Sequence, residues 1–233
     1  MVRARAVAAK KNGVPFGVRQ ITETDRNGQM GCSTAALANW AGKRGNALTR
    51  PILESVLGVH RDAELPAFAS GTLEQQARRS KIERDATAPS ARAGRKAAVF
   101  ATCFANYNAT AIGAAALEVL ARNGVEAELV YPGCCGMPQL EQGDLARVND
   151  AALKAAAAFK PWIEKGYDVV SLTPSCSLML KFEWPLIVPK NTPAYADVQK
   201  LAGATFDISE YVVDLARRHG LAPGMKPLPG DVF

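Results

Sequence analysis

Four of the five cysteines in this 233-residue chain fall in three short polar loops. Cys134 and Cys135 are adjacent within Tyr131-Pro-Gly-Cys-Cys-Gly-Met-Pro138, Cys103 stands in Thr102-Cys103-Phe104, and Cys176 closes Thr173-Pro174-Ser175-Cys176. Thiolates are soft ligands that suit an iron–sulfur cluster or zinc and hold hard cations poorly. Gly133 and Gly136 bracket the vicinal pair and allow the backbone to bend so that both sulfurs reach one centre. A single cysteine of this kind is ordinarily a small buried hydrophobe. Four in three similarly placed loops make a shared site the better reading, with Cys103, Cys134, Cys135 and Cys176 as ligands of an iron–sulfur cluster; the alternative is a non-redox module, a truncated remnant without a cluster, in which the same sulfurs hold structural zinc or hold nothing and the domain serves only as an assembly interface. A disulfide framework is disfavoured, because the cysteine count is odd, the chain is not small, and no secretory signal is present. Cys32 lies far from these loops in sequence and reads as an ordinary thiol.

The placement follows from the elements that precede each loop. Lys96 to Thr102 holds the apolar run Ala97 to Ala101, Val125 to Val130 mixes Val, Ala and Leu with Glu126 and Glu128, and Asp168 to Leu172 contains Val169 and Val170. These segments read as strands. Ala109 to Asn123 is apolar at helical spacing and closed by Gly124, and an Ala-rich stretch from about Leu140 to Lys165 predicts a second helix. A βαβαβ series forces parallel strands, so all three cysteine loops emerge at one sheet edge, where open α/β sheets bind ligands. Cys176 precedes Leu178-Met179-Leu180, which predicts the first turn of a helix ending near Pro185. A helix amino end favours thiolate.

The Cys103 loop, the Cys-Cys-Gly loop and Thr-Pro-Ser-Cys-Ser-Leu-Met-Leu-Lys-Phe-Glu-Trp-Pro over 173–185 together resemble the cysteine-rich CCG domain. That domain occurs in the B subunit of heterodisulfide reductase, the C subunit of anaerobic glycerol-3-phosphate dehydrogenase, and the iron–sulfur subunits of glycolate and lactate oxidases. Phe206 to Asp214, Asn39-Trp40 and Leu57-Gly58 are similar to the glycerol-3-phosphate dehydrogenase branch. The resemblance implies an electron-transfer role in an iron–sulfur oxidoreductase, with a cluster of the 4Fe-4S type relaying electrons between a flavin dehydrogenase or thiol substrate and a quinone or other acceptor. It implies as partners a flavoprotein dehydrogenase subunit and a second CCG-domain chain. Two departures accompany it. The best-characterised members end the last motif in Cys-x-x-Cys, whereas Met179 occupies that position here and reads as core. Members also carry two such repeats, so a chain ending at Phe233 is expected to be a fragment or a split subunit, with apolar surface near Pro185 to Pro189 or the carboxyl-terminal segment in want of a partner.

The expected architecture is therefore α/β, a Rossmann-like parallel sheet with flanking helices over 96–233, preceded by a basic, mostly helical extension over 1–95. At 48% hydrophobic and 21% charged residues the chain can bury a core, and no apolar run approaches membrane-spanning length. Residues 1–95 hold 16 Lys and Arg against 8 Asp and Glu, a net +8; residues 96–233 hold 12 against 14, a net −2. The whole excess of positive charge thus belongs to the extension. It makes a solvated face, or a docking surface for an acidic partner or an anionic membrane. The expected location is cytoplasmic, with peripheral contact at the inner membrane face. Nucleic acid is disfavoured as a partner, since no recognition helix, zinc finger or aromatic stacking motif accompanies the charge. Ser33 to Trp40 and Pro51 to Val59 predict short helices, and Ala86 to Arg95 a flexible linker. No Walker sequence or G-x-G-x-x-G fingerprint is present, and His60 and His219 are not placed as a catalytic base.

Overall fold

Four short parallel strands, β1 (Lys96–Phe100), β2 (Glu126–Val130), β3 (Asp168–Ser171) and β4 (Thr205–Asp207), form the centre of the computed structural model in the order β2-β1-β3-β4. The structure describes residues 2–80 and 82–224; the end of the expected domain, 225–233, lies outside them. Three strands match the sequence expectation, and β4 is additional. It has only three residues, too few for a period-2 pattern to register.

The register sets the site. Phe100 pairs with Val130 on one side and with Ser171 on the other, so β1, β2 and β3 end at one level. From β1 the chain crosses to β2 in one direction and to β3 in the other, which opens a crevice at their carboxyl ends. Side chains alternate between faces as strand geometry demands. Ala98, Phe100 and Val169 join one core layer with the long helix Leu145–Glu164, while Ala97, Val99 and Val170 join the other with Thr110–Arg122 and Ile208–Arg218. The long helix buries Val148, Ala152, Ala155, Ala156 and Phe159, a stripe at 3- and 4-residue spacing. Small alanines on that stripe let the helix lie close over the sheet.

Several local expectations are revised. Gly143, at φ 78°, breaks the expected Leu140–Lys165 helix into Met137–Glu141 and Leu145–Glu164. The helix around Cys176 begins earlier, so Cys176 lies within its first turn instead of preceding it. It continues through Pro185 by way of a π turn at Met179–Glu183 and ends at Ile187. Pro185 is tolerated because the wider turn before it relaxes the i→i−4 ladder that its ring would otherwise disturb. The expected linker is ordered: Pro89–Arg92 is helical, Ala88 and Ser90 are buried, and Arg95 pairs with Asp168 at 3.1 Å and Asp214 at 2.9 Å. Ser33 to Trp40 straddles two helices, Thr24–Ser33 and Ala35–Gly42.

The extension packs on the domain with little core of its own, and its Leu73 enters the layer beneath Ala97 and Val99. Gly28 lets the Thr24–Ser33 helix settle on Tyr107, for a Cβ there would stand 2.1 Å from the ring. Among the described residues no helix is long and apolar enough to cross a membrane.

Candidate metal centre

Because the strands end level, the three cysteine loops leave the sheet side by side. Thr102 Oγ1 and Thr173 Oγ1 lie 2.9 Å apart and tie the loop after β1 to the loop after β3. The Ala101 amide donates to Val130 O at 3.1 Å and holds the loop after β2 against them. Thr102 caps the short helix that begins at Cys103, and its side chain accepts from Ala105 N. Gly136, at φ 83°, turns the chain so that its own amide donates to Cys134 Sγ at 3.4 Å.

All four candidate cysteines meet in one pocket. Cys135 Sγ and Cys176 Sγ are 3.2 Å apart and buried at 2% and 5% exposure, whereas Cys103 and Cys134 are partly open. Cys103 and Cys135 both donate to the Cys134 sulfur, which holds that thiol well below its ordinary range. The same contacts, joined by burial, push Cys103 and Cys135 upward. Ionisation is thus favoured at Cys134 and suppressed at Cys103 and Cys135, a conflict that a polyvalent metal centre relieves by deprotonating its ligands outright. Trp184, fully buried, donates its indole N–H to Cys135 O at 3.0 Å and fixes the deep side of the pocket. Met179 has no exposed surface and belongs to the same core layer as Cys135, Cys176 and Trp184, in keeping with its reading as core.

The extension covers the outer side. Asp25 accepts the Cys134 amide at 2.9 Å and the Tyr131 hydroxyl. Burial, and then the charge of Asp25, raise Tyr131 well above the ordinary phenol range, so it stays a donor. Gly133, at φ 132°, sits so near this carboxylate that a Cβ would come within 3.1 Å of Asp25 Oδ2. Glu23 pairs with Arg147, and Gln139 Nε2 donates to Thr22 O at 2.6 Å. The sequence reading missed Thr24 and Asp25. A signal was present: Glu23 and Asp25 are the only acidic residues before Glu54 in an otherwise basic stretch. Cys32 is elsewhere, buried, and bonded through Sγ to Tyr107 O at 3.3 Å, with burial raising its pKa.

A hollow of about 160 Å³ beside Asp25, Gly133, Cys134 and Lys154 reaches the site from solvent. Larger hollows lie along β2 (about 480 Å³) and beside the first helix, Val2–Asn12 (about 770 Å³), but no cysteine lines either, so chemistry and not size locates the centre. The donor set fits an iron–sulfur group, being four soft sulfurs under a buried hydroxyl, Thr24 Oγ1, that lies against Cys103 and Cys134. Sulfur spacing alone does not separate a cluster from a single ion. Two thiolates on one tetrahedral metal stand about 3.8 Å apart for metal–sulfur bonds of about 2.3 Å. Cys135 and Cys176 would have to part to hold one ion and part further to ligate different irons of a cluster, and among the described residues no three His, Cys, Asp or Glu already frame one ion.

Comparison with known proteins bears on the same segment. The cysteine-rich CCG domain family matches residues 97–181, which contain all four converging cysteines. Residues 97–181 are a CCG domain. The chain is also similar to lactate utilization protein A of Bacillus velezensis, 31% identical over 123 residues, covering 52% of this chain and 49% of that protein. The corresponding protein of Geobacillus kaustophilus is 29% identical over 123 residues, with the same shares of each chain. That of Bacillus cytotoxicus is 27% identical over 132 residues, covering 56% and 53%. The chain thus spans about half the length of the curated relatives it matches. No solved structure matches it.

Proposed function

We propose that the CCG domain is an electron-transfer component of an iron–sulfur oxidoreductase, with Cys103, Cys134, Cys135 and Cys176 holding a cluster of the 4Fe-4S class. The convergence of four thiols from three separate loops into one mostly buried pocket carries this reading. When bound, such a cluster accepts and passes single electrons at a potential set by its surroundings. The chain's own residues supply those surroundings. Cys135 and Cys176 hold the deep side out of water, Trp184 and Asp25 fix the backbone on either side of the vicinal pair, and Cys134 faces the solvent hollow.

The names of the relatives give the reading its direction. Oxidation of a 2-hydroxy acid such as lactate releases two electrons, and a flavoprotein dehydrogenase subunit delivering them one at a time to this centre is the partner proposed. A second CCG-domain chain is proposed to complete the assembly. Leu178, Phe182 and Leu186, spaced four apart on one helix, are 43%, 58% and 80% exposed, a stripe suited to such a contact. The positive extension then favours an acidic partner or an anionic inner-membrane surface.

Anaerobic purification of cysteine variants tests the ligand set. Cys134→Ser and Cys135→Ser should lose bound iron and visible absorbance, whereas Cys32→Ser should keep both. Equal iron in all three variants would refute the assignment, and zinc in place of iron would favour a structural, non-redox module.

A further inference from the structure

We propose that Thr24 donates a hydrogen bond from the extension to a sulfur of the bound cluster, which makes the extension part of the redox site. The proposal rests on the iron–sulfur reading above and adds a residue that lies outside the CCG domain.

Thr24 Oγ1 is buried, lies against the sulfurs of Cys103 and Cys134, and has no oxygen or nitrogen partner. A buried hydroxyl without a strong acceptor is unfavourable unless something bound at the site accepts from it. Its neighbours explain why it cannot turn away to water. Thr22 O is held by Gln139, Glu23 by Arg147, and Asp25 by the Cys134 amide and Tyr131, so the backbone on both sides of Thr24 is pinned over the pocket. Gly28, one turn further along the helix, brings it into contact with Tyr107 and removes the slack that would let the first turn lift. The hydroxyl faces the sulfurs of Cys103 and Cys134, the two less buried members of the set. Thiolate and sulfide are both acceptors, and both gain electron density when a cluster is reduced. A donor fixed here stabilises the reduced form more than the oxidised one. Thr24 is thus a positioning and potential-setting residue, and hydrogen bonds to sulfur are among the levers that set such potentials.

The test compares Thr24→Val, which removes the hydroxyl at constant shape, with Thr24→Ser, which keeps it. The full chain is loaded with iron and sulfide anaerobically and titrated with mediator dyes, followed by visible absorbance and electron paramagnetic resonance. For a hydrogen bond of ordinary strength, Thr24→Val should reduce the ratio of reduced to oxidised cluster about fivefold at the wild-type midpoint, a fall of ~40 mV for one electron. Thr24→Ser should stay within about twofold of wild type, on the same scale. A wild-type midpoint in a folded, loaded Thr24→Val protein would overturn the proposal, as would equal shifts in both variants, which would indicate volume and not hydrogen bonding. If Thr24→Val and Thr24→Ala fail to hold iron while Thr24→Ser holds it, the hydroxyl is needed for retention and the proposal stands; failure of Thr24→Ser as well would overturn it. A wild-type chain that takes up no iron would instead refute the cluster reading, and with it the acceptor assigned to Thr24.

Discussion

Replacing Asp25 by alanine should loosen the outer wall of the cysteine pocket by an amount that the structure allows to be worked out. The carboxylate accepts two hydrogen bonds, from the Cys134 amide at 2.9 Å and from the Tyr131 hydroxyl. Hydrogen bonds to a charged group contribute about 1.5–3 kcal/mol each, and both donors are only partly buried, so water recovers some of the loss. The expected cost is about 2–4 kcal/mol, or a fall in Tm of roughly 4–16 °C for a chain of this size. Tyr131→Phe removes one donor and should cost about 1 kcal/mol, and a double-mutant cycle with Asp25→Ala isolates the coupling. The measurement is urea unfolding of the metal-free, reduced protein, with amide hydrogen exchange at Cys134 reporting whether the loop opens before the whole chain does. If Asp25→Ala stays within about 0.5 kcal/mol of wild type and the Cys134 amide keeps its protection, Asp25 does not hold the loop.

Met179→Cys should slow iron loss in air, because Met179 shares the core layer of Cys135 and Cys176, at a packing cost of about 1–3 kcal/mol; a folded variant losing iron at the wild-type rate would show that this side chain does not face the centre. Glu210 is held below its ordinary value of 4.5 chiefly by Lys181, at 2.7 and 2.8 Å, so its contribution is complete above pH 4.5 and fades as pH falls through the lower folded value. Glu210→Gln should therefore be less stable than wild type by under ~1 kcal/mol at neutral pH, the gap closing in acid, and a gap that widens in acid would reverse the assigned sign. Leu186→Glu should weaken association with a partner chain or flavoprotein, and raised salt should weaken binding through the basic extension; light scattering and pull-downs at two ionic strengths read both, and a monomer indifferent to each would remove support for the subunit reading.

The sheet and the four cysteines were legible because their signals are local. Val99-Phe100, Leu129-Val130 and Val169-Val170 mark the strands, and each cysteine follows one within a few residues. Parallel topology then obliges the loops to meet. β4 was hidden by its brevity, and the passage of the helix through Pro185 by a π turn that residue types do not announce. Thr24 and Asp25 lay further from reach, since their contact with Cys134 spans over a hundred residues and depends on how the extension docks. The close fit of Gly28 to Tyr107 is likewise a matter of tertiary packing. Arg95 shows the same limit: a sequence rich in Ala, Gly and Ser reads as a linker, but its ion pairs with Asp168 and Asp214 fasten it to the sheet.

Iron and acid-labile sulfide measured together on anaerobically purified protein test the central claim most directly. Four sulfur ligands around a 4Fe-4S cluster should give iron and sulfide in equal amounts, about four of each per chain, in a brown protein that bleaches on reduction. A colourless protein, folded and fully reduced at its cysteines, that takes up neither iron nor sulfide under reconstitution would contradict the claim.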